Sequence, residues 1–163
     1  MQKKITTFVT FDGRAEEAVD FYTSVFENSR ILSATRYEAG GPGPDGELMS
    51  TTFVLAGQEL MALNGGPSFT FSQGISLFVD CEDQEEVDEL WEKLTDGGEP
   101  GACGWLTDRF GVSWQIIPRA LGELLADEDR EKAGRVMQAM LQMSKIEVEG
   151  LRRAYEGAEP SLR

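Results

Sequence analysis

The 163-residue chain contains no histidine. Imidazole is the commonest general base at neutral pH and a frequent zinc ligand, so Ser-His-Asp and Cys-His catalysis are excluded. Cysteine is scarce too: Cys81 and Cys103 form no Cys-x-x-Cys pair and are too few for a disulfide framework. Two readings of them stand, free thiols and a Cys81–Cys103 disulfide, and a reducing cytosol favours the first. Positive charge is short, with 15 Lys and Arg against 29 Asp and Glu, a net −14. Nucleic acid and anionic membrane are therefore excluded as partners, because both demand a basic surface. Apolar runs are short as well, and none approaches the roughly 20 residues that span a bilayer. The basic start, Met1 to Thr7, leads directly into alternating residues rather than a signal-peptide apolar core. Together these absences predict a cytoplasmic protein.

What is present is a globular composition, 40% hydrophobic and 27% charged. Residues 5–11 read as a strand closed by Asp12-Gly13, and Ala18, Phe21, Tyr22, Val25 and Phe26 then repeat at helical spacing over 14–26. Residues 31–37 form a second strand. Strands over 49–56 and 59–64 are joined by Gly57-Gln58, a hairpin signal, before Asn64-Gly65-Gly66-Pro67 breaks the chain. A second pass starts at Gly74, with a strand over 75–80 and a helix over 83–94 carrying Val87, Leu90, Trp91 and Leu94 on its apolar face. That helix stops at Gly97-Gly98. Short strands over 104–107 and 112–117 flank an Asp108-Arg109-Phe110-Gly111 turn.

The two passes align when 69 is added to each number of the first: Glu16-Glu17 falls on Glu85-Glu86, and Ala18, Phe21, Tyr22 and Val25 fall on Val87, Leu90, Trp91 and Leu94. Phe8 and Val9 then land on Leu77 and Phe78. Both halves read strand–helix–strand–strand–strand, an internal duplication. After Pro118 the composition shifts to Glu, Lys, Ala and Met, with helices over 120–125, 128–143 and 147–155. Val136, Met140 and Met143 form one helical stripe, and Met137 and Leu141 another; such stripes are ordinary packing that covers the second half or a partner subunit. The acidic runs 80–86 and 127–131 suit helix starts, where the dipole is positive.

Other motifs carry less. The stretch Gly41-Pro42-Gly43-Pro44-Asp45-Gly46 matches G-x-G-x-x-G by letter, but prolines sit inside it and a strand pattern follows, whereas pyrophosphate binding needs a helix N-terminus there. Cys103 has only the more distant Arg109 as a local cation to lower its pKa, which favours inert packing.

The duplicated pattern resembles the vicinal oxygen chelate superfamily, which includes glyoxalases, bleomycin-resistance proteins and extradiol dioxygenases. The phrases from Phe11 to Tyr22, Ala62 to Pro67, Cys103 to Asp108 and Gly111-Val112-Ser113-Trp114-Gln115-Ile116-Ile117-Pro118 look like its PhnB-like branch, often labelled demethylubiquinone methyltransferase-like. The resemblance implies an α+β fold of two βαβββ modules, glyoxalase-like half-barrels over residues 1–67 and 74–118. A C-terminal helical extension over 119–163 completes one compact domain. It also implies a homodimer, in some members with exchanged halves, that encloses a small-molecule cup.

Metal-dependent members hold a divalent ion with His, Glu or Gln from the first and last strands of each module. By resemblance those positions fall at Ile5 or Thr7, near Asn64, at Gly74 and at Gln115. Ile5 and Gly74 offer no ligating side chain, and Asn64 and Gln115 are neutral amides that compensate a dication poorly. The expectation is therefore no metal and no cofactor. What remains is a cup with Thr7, Asn64 and Gln115 as polar handles on its inner face and Phe53 and Trp105 as aromatic walls. The same Phe53 and Trp105 read equally well as core, and Gln115 as a satisfied core amide. A methyltransferase would need a Rossmann-like cofactor fold, which the pattern lacks. A metal-independent small-molecule binder is the leading expectation. The alternatives are a lyase, isomerase or dioxygenase with a divergent site, and an interaction module without ligand.

Overall fold

The computed structural model describes residues 3–157, so the outermost ends of the first and last predicted segments lie outside the described residues. The chain divides after Thr70 into two compact units. The first unit contains β1 (Thr7–Phe11), α1 (Ala15–Val25), β2 (Arg30–Arg36), β3 (Leu48–Leu55) and β4 (Gln58–Asn64). Its sheet runs β1-β4-β3-β2, with β1 parallel to β4 and the other neighbours antiparallel. Strand alternation sorts the side chains by face. Leu60, Ala62 and Asn64 of β4, with Thr51, Phe53 and Leu55 of β3, are largely buried on the side where α1 places Ala15, Ala18, Val19 and Tyr22. Phe8, Thr10, Thr52, Met61 and Leu63 line the opposite, open side. The hairpin turns at Ala56-Gly57 rather than Gly57-Gln58. Both residues take positive φ, 48° and 85°, as a type I′ turn requires.

The second unit repeats the plan with β5 (Leu77–Cys81), α2 (Gln84–Thr95), β6 (Glu99–Pro100), β7 (Trp105–Thr107) and β8 (Ser113–Pro118), in the order β5-β8-β7-β6. Asp83 caps α2 by accepting from the Glu86 amide at 2.9 Å. Gly97 follows the helix with φ 78°, as the Gly97-Gly98 stop anticipates. A Cβ on Gly98 would lie 2.2 Å from the Thr107 carbonyl, so only glycine lets the chain enter β6 this close to β7.

The duplication is real, but its strand register differs from the sequence alignment. Phe11 pairs with Asn64 at the end of β1, and Cys81 with Pro118 at the end of β5. The strands therefore correspond with an offset of 70, whereas the helix starts Ala15 and Gln84 differ by 69. Three residues separate β1 from α1 and two separate β5 from α2. Phe8 thus matches Phe78, not Leu77, and a one-residue slip inverts which face a side chain occupies.

Beyond β8 come α3 (Arg119–Leu125), α4 (Arg130–Leu141) and α5 (Val148–Glu156). Val136, Ile146 and Leu151 form a cluster with Leu121 and with Ile117 of β8, and Met140 and Met143 pack against it. One predicted stripe therefore covers the second half. Met137 and Leu141 are exposed.

Candidate functional site

The open face of the second sheet is assembled by register. Gln115 stands opposite Trp105 on one side and Phe78 on the other. The same alternation brings Ser113, Thr107 and Glu99 to that face, since Thr107 pairs with both Ser113 and Glu99. Trp105 is half-buried and Phe78 is 60% exposed, so this end of the face is accessible. The other end is closed, because Ile117 is covered by the C-terminal cluster. Gln115 Nε2 donates to Ser76 Oγ at 2.9 Å, which fixes the amide and leaves its carbonyl oxygen as an acceptor.

Beside this pair lies a cavity of about 260 Å³, lined among others by Gln73, Glu99, Gly101, Trp105, Thr107 and Ser113. Its rim is tied down. The Gly101 amide donates to the Trp105 carbonyl at 2.8 Å, and Ser144 Oγ donates to the Gly101 carbonyl at 2.6 Å. The amides of Cys103 and Gly104 donate to the Met143 and Ser144 carbonyls, both at 2.8 Å. The β7–β8 turn is fixed by Asp108, buried and accepting from the Phe110 and Val112 amides at 2.8 and 3.0 Å and from Trp114 Nε1 at 2.8 Å.

The predicted site residues divide between the faces. Trp105 and Gln115 share the open face of the second unit. Thr7, Phe53 and Asn64 belong to the first unit, and all three lie on its helix-covered face, because Thr7 and Phe53 both pair with Leu60 and Asn64 follows in phase. Phe53 is completely buried core. Asn64 Oδ1 accepts from the Ala15 amide at 2.9 Å and its Nδ2 donates to the Leu48 carbonyl at 2.9 Å. The placement of Asn64 and Thr7 on an inner cup face is therefore corrected. The counterpart of Gln115 across the duplication is Met61, and Asn64 lies three residues further on, which in a strand is the other face. Ser76 is the residue that sequence reading missed; one position after Ile75, it carried no signal beyond its place before a strand.

The donor chemistry does not suit a divalent ion. On the open face of the second unit Ser76 and Gln115 are neutral and bonded to each other, Thr107 and Ser113 are neutral hydroxyls, and Glu99 is a lone carboxylate. Among the described residues no group of three or more His, Cys, Asp or Glu is placed to hold a metal ion. No step is derived through one.

Titratable groups elsewhere are tuned by surface pairing. Hydrogen bonding to Arg36 lowers the Glu16 pKa, hydrogen bonding to Lys145 lowers that of Asp88, and hydrogen bonding to Tyr155 lowers that of Asp127. None of these carboxyls lines the cavity. Both cysteines are free, and burial, reinforced by Glu86, Asp80 and Asp83, pushes the Cys81 thiol up to about 12. It is not a nucleophile at neutral pH.

A family described as 3-demethylubiquinone-9 3-methyltransferase matches residues 3–117. The chain belongs to this family. A solved structure of a putative 3-demethylubiquinone-9 3-methyltransferase, PhnB protein, from Bacillus cereus is 43% identical, with a TM-score of 0.68 over 71% of this chain and 99% of that one. A protein from Pseudomonas aeruginosa, 22% identical, shares the fold with a TM-score of 0.59 over 72% of this chain and 98% of that one. The genomically encoded fosfomycin resistance protein FosX from Listeria monocytogenes, 13% identical, does so with a TM-score of 0.51 over 72% and 93%. No curated protein matches. This PhnB-like chain thus has the two-module α+β fold of the vicinal oxygen chelate superfamily with helices appended. The family match stops at residue 117, so α3, α4 and α5 lie outside it. Among the described residues no helix is long and apolar enough to cross a membrane.

Proposed function

We propose that this PhnB-like chain is a metal-independent small-molecule binder whose site is the open face of the second module. One observation carries the reading: the half-buried Trp105 stands directly opposite Gln115, whose amide is held by Ser76, at the edge of a cavity of about 260 Å³. A concave surface with an aromatic wall and a few fixed polar groups is the usual form of a small-molecule site. The volume sits just under the roughly 300–1,000 Å³ of pockets for drug-sized ligands, which suits a small ligand or one group of a larger one. Methyl transfer is not proposed, because each sheet is a mixed four-stranded one rather than a doubly wound nucleotide fold.

Assembly as a homodimer in the cytoplasm belongs to the same proposal. Phe8 and Phe78, matched by the duplication, are 49% and 60% exposed on the open faces, and both cysteines are free. Sedimentation of the purified chain as a monomer at micromolar concentration would contradict the dimer.

The binding test is a thermal-shift panel of metabolites, antibiotics and divalent metals, run on the wild type and on Trp105→Leu. A ligand at 100 times its dissociation constant adds about 2.7 kcal/mol, and that gain should disappear in the variant. A stoichiometric divalent ion that is retained by native protein and lost in Gln115→Ala would refute metal independence. A panel in which no compound raises the melting temperature would refute the site.

A further inference from the structure

We infer that the cavity of the second unit takes a small organic cation, an ammonium group held between the Trp105 indole and the Glu99 carboxylate. The inference rests on the small-molecule reading above and adds the ligand's charge class. Among the described residues Glu99 is the one charged side chain lining the cavity, and no Lys or Arg lines it. Register sets Glu99 and Trp105 on the same face, since Glu99 pairs with Thr107 and Thr107 lies two residues from Trp105. Among the described residues no ion pair engages Glu99, so its carboxylate is available to a ligand, unlike those of Asp80, Asp88, Glu89 and Asp96, which each hold a Lys or Arg. The exposed Glu99 and the half-buried Trp105 thus line one hollow, with no Lys or Arg of its lining to compete for the carboxylate.

Physical chemistry favours a cation there on two counts. A cation over an indole face is attracted by the ring quadrupole, and tryptophan is the best aromatic partner for it. The exposed Glu99 carboxylate attracts positive charge and repels phosphate or carboxylate ligands, an effect that added salt screens. The remaining lining agrees, because Thr107, Ser113 and Gln73 carry oxygen atoms whose partial negative charge suits a cation. The net charge of −14 reinforces the preference by drawing cations toward the whole surface. Preorganisation is supplied by the α4–α5 connection: Ser144 fixes Gly101, and Gly101 in turn bonds Trp105, so the indole's backbone is held before any ligand arrives.

The test uses the full chain and tetramethylammonium, with tert-butanol as its neutral isostere and inorganic phosphate as the anion, all at constant ionic strength. The readout is the indole N–H resonance of Trp105, assigned by its loss in Trp105→Phe. Tetramethylammonium should shift that resonance saturably, while tert-butanol and phosphate leave it in place. Glu99→Gln, a change at an exposed position, should weaken the titration about fivefold. Added sodium chloride should weaken the wild-type titration more than that of the variant. An equal shift with tert-butanol, or an unchanged titration in Glu99→Gln, would overturn the cation class and leave the binding site standing. A saturable shift with phosphate would reverse the sign and also leave the site standing. If neither tetramethylammonium nor any compound of the thermal-shift panel moves Trp105, both proposals fall together.

Discussion

Asn64, at the end of β4, accepts the backbone N–H of Ala15, the first residue of α1, through Oδ1 at 2.9 Å. The helix has no cap of its own, because Arg14 at the N-cap position makes no capping side-chain hydrogen bond; its guanidinium donates instead to the Glu17 carboxylate at 3.1 Å. A residue 49 positions away therefore serves an N–H group that the helix leaves orphaned. The second arm of the amide satisfies the Leu48 carbonyl, so one buried side chain ties a helix start to two strands.

The consequence is a separation of stability from binding. Asn64→Ala leaves two buried backbone groups unpaired and is expected to cost about 3 kcal/mol. Urea unfolding should show that loss in the midpoint. The tetramethylammonium titration of Trp105 should stay the same below the unfolding transition, since Asn64 is on the helix-covered face of the other unit.

Asp108 is the matching device in the second unit. It gathers two backbone amides and the Trp114 indole N–H within 3.0 Å. Asp108→Ala strands all three donors and should destabilise by about 3 kcal/mol. Trp114→Phe removes only one partner and should cost about half as much. Equal losses in the two variants, measured by urea denaturation, would show that the turn does not depend on the carboxylate as a hub.

The α4–α5 connection makes a local prediction. Ser144→Ala removes the 2.6 Å bond to Gly101 and should cost about 1 kcal/mol. Amide exchange should accelerate over residues 101–105 more than elsewhere, with the core of the first unit unchanged. Ile146→Ala, by contrast, empties a fully buried position of the C-terminal cluster and should cost about 3 kcal/mol.

The ion pair of Lys145 with Asp88, at 2.8 Å, gives a pH signature. Hydrogen bonding to Lys145 lowers the Asp88 pKa, and hydrogen bonding to Asp88 raises that of Lys145. The Asp88 contribution is complete above its unfolded value of about 3.9 and is lost as pH falls through the lower folded value. The Lys145 contribution is complete below about 10.4 and is lost as pH rises through the higher folded value. Both side chains are partly exposed, so Lys145→Met should cost about 0.5–1 kcal/mol between those limits. Urea midpoints of the variant should converge on the wild type at both pH extremes. A constant difference from acid to alkali would assign the loss to packing of the lysine stem.

Much of this molecule was legible before folding was considered. The strands and helices that alternation and helical spacing predict are present, with boundaries moved by one or two residues. The exception is β6, whose two residues, Glu99 and Pro100, carry neither alternation nor β-branched side chains. Its existence depends on the close approach that Gly98 permits. Of the predicted site, Trp105 and Gln115 share an open face, whereas Phe53 is core and Asn64 serves a helix.

The sequence by itself determined the duplicated modules, the family phrases around Gly111–Pro118, the missing histidine and the neutral character of Gln115, because period and side-chain chemistry are local properties. Tertiary structure decided which way each strand residue faces. That choice depends on pairing with distant strands, while the β1–α1 connection, one residue longer than its β5–α2 counterpart, decides that Phe8 corresponds to Phe78. In a structure of period two, the three residues from Met61, the counterpart of Gln115, to Asn64 put Asn64 on the helix-covered face, and the pairing of Gln115 with Phe78 leaves Ser76 as the partner of Gln115.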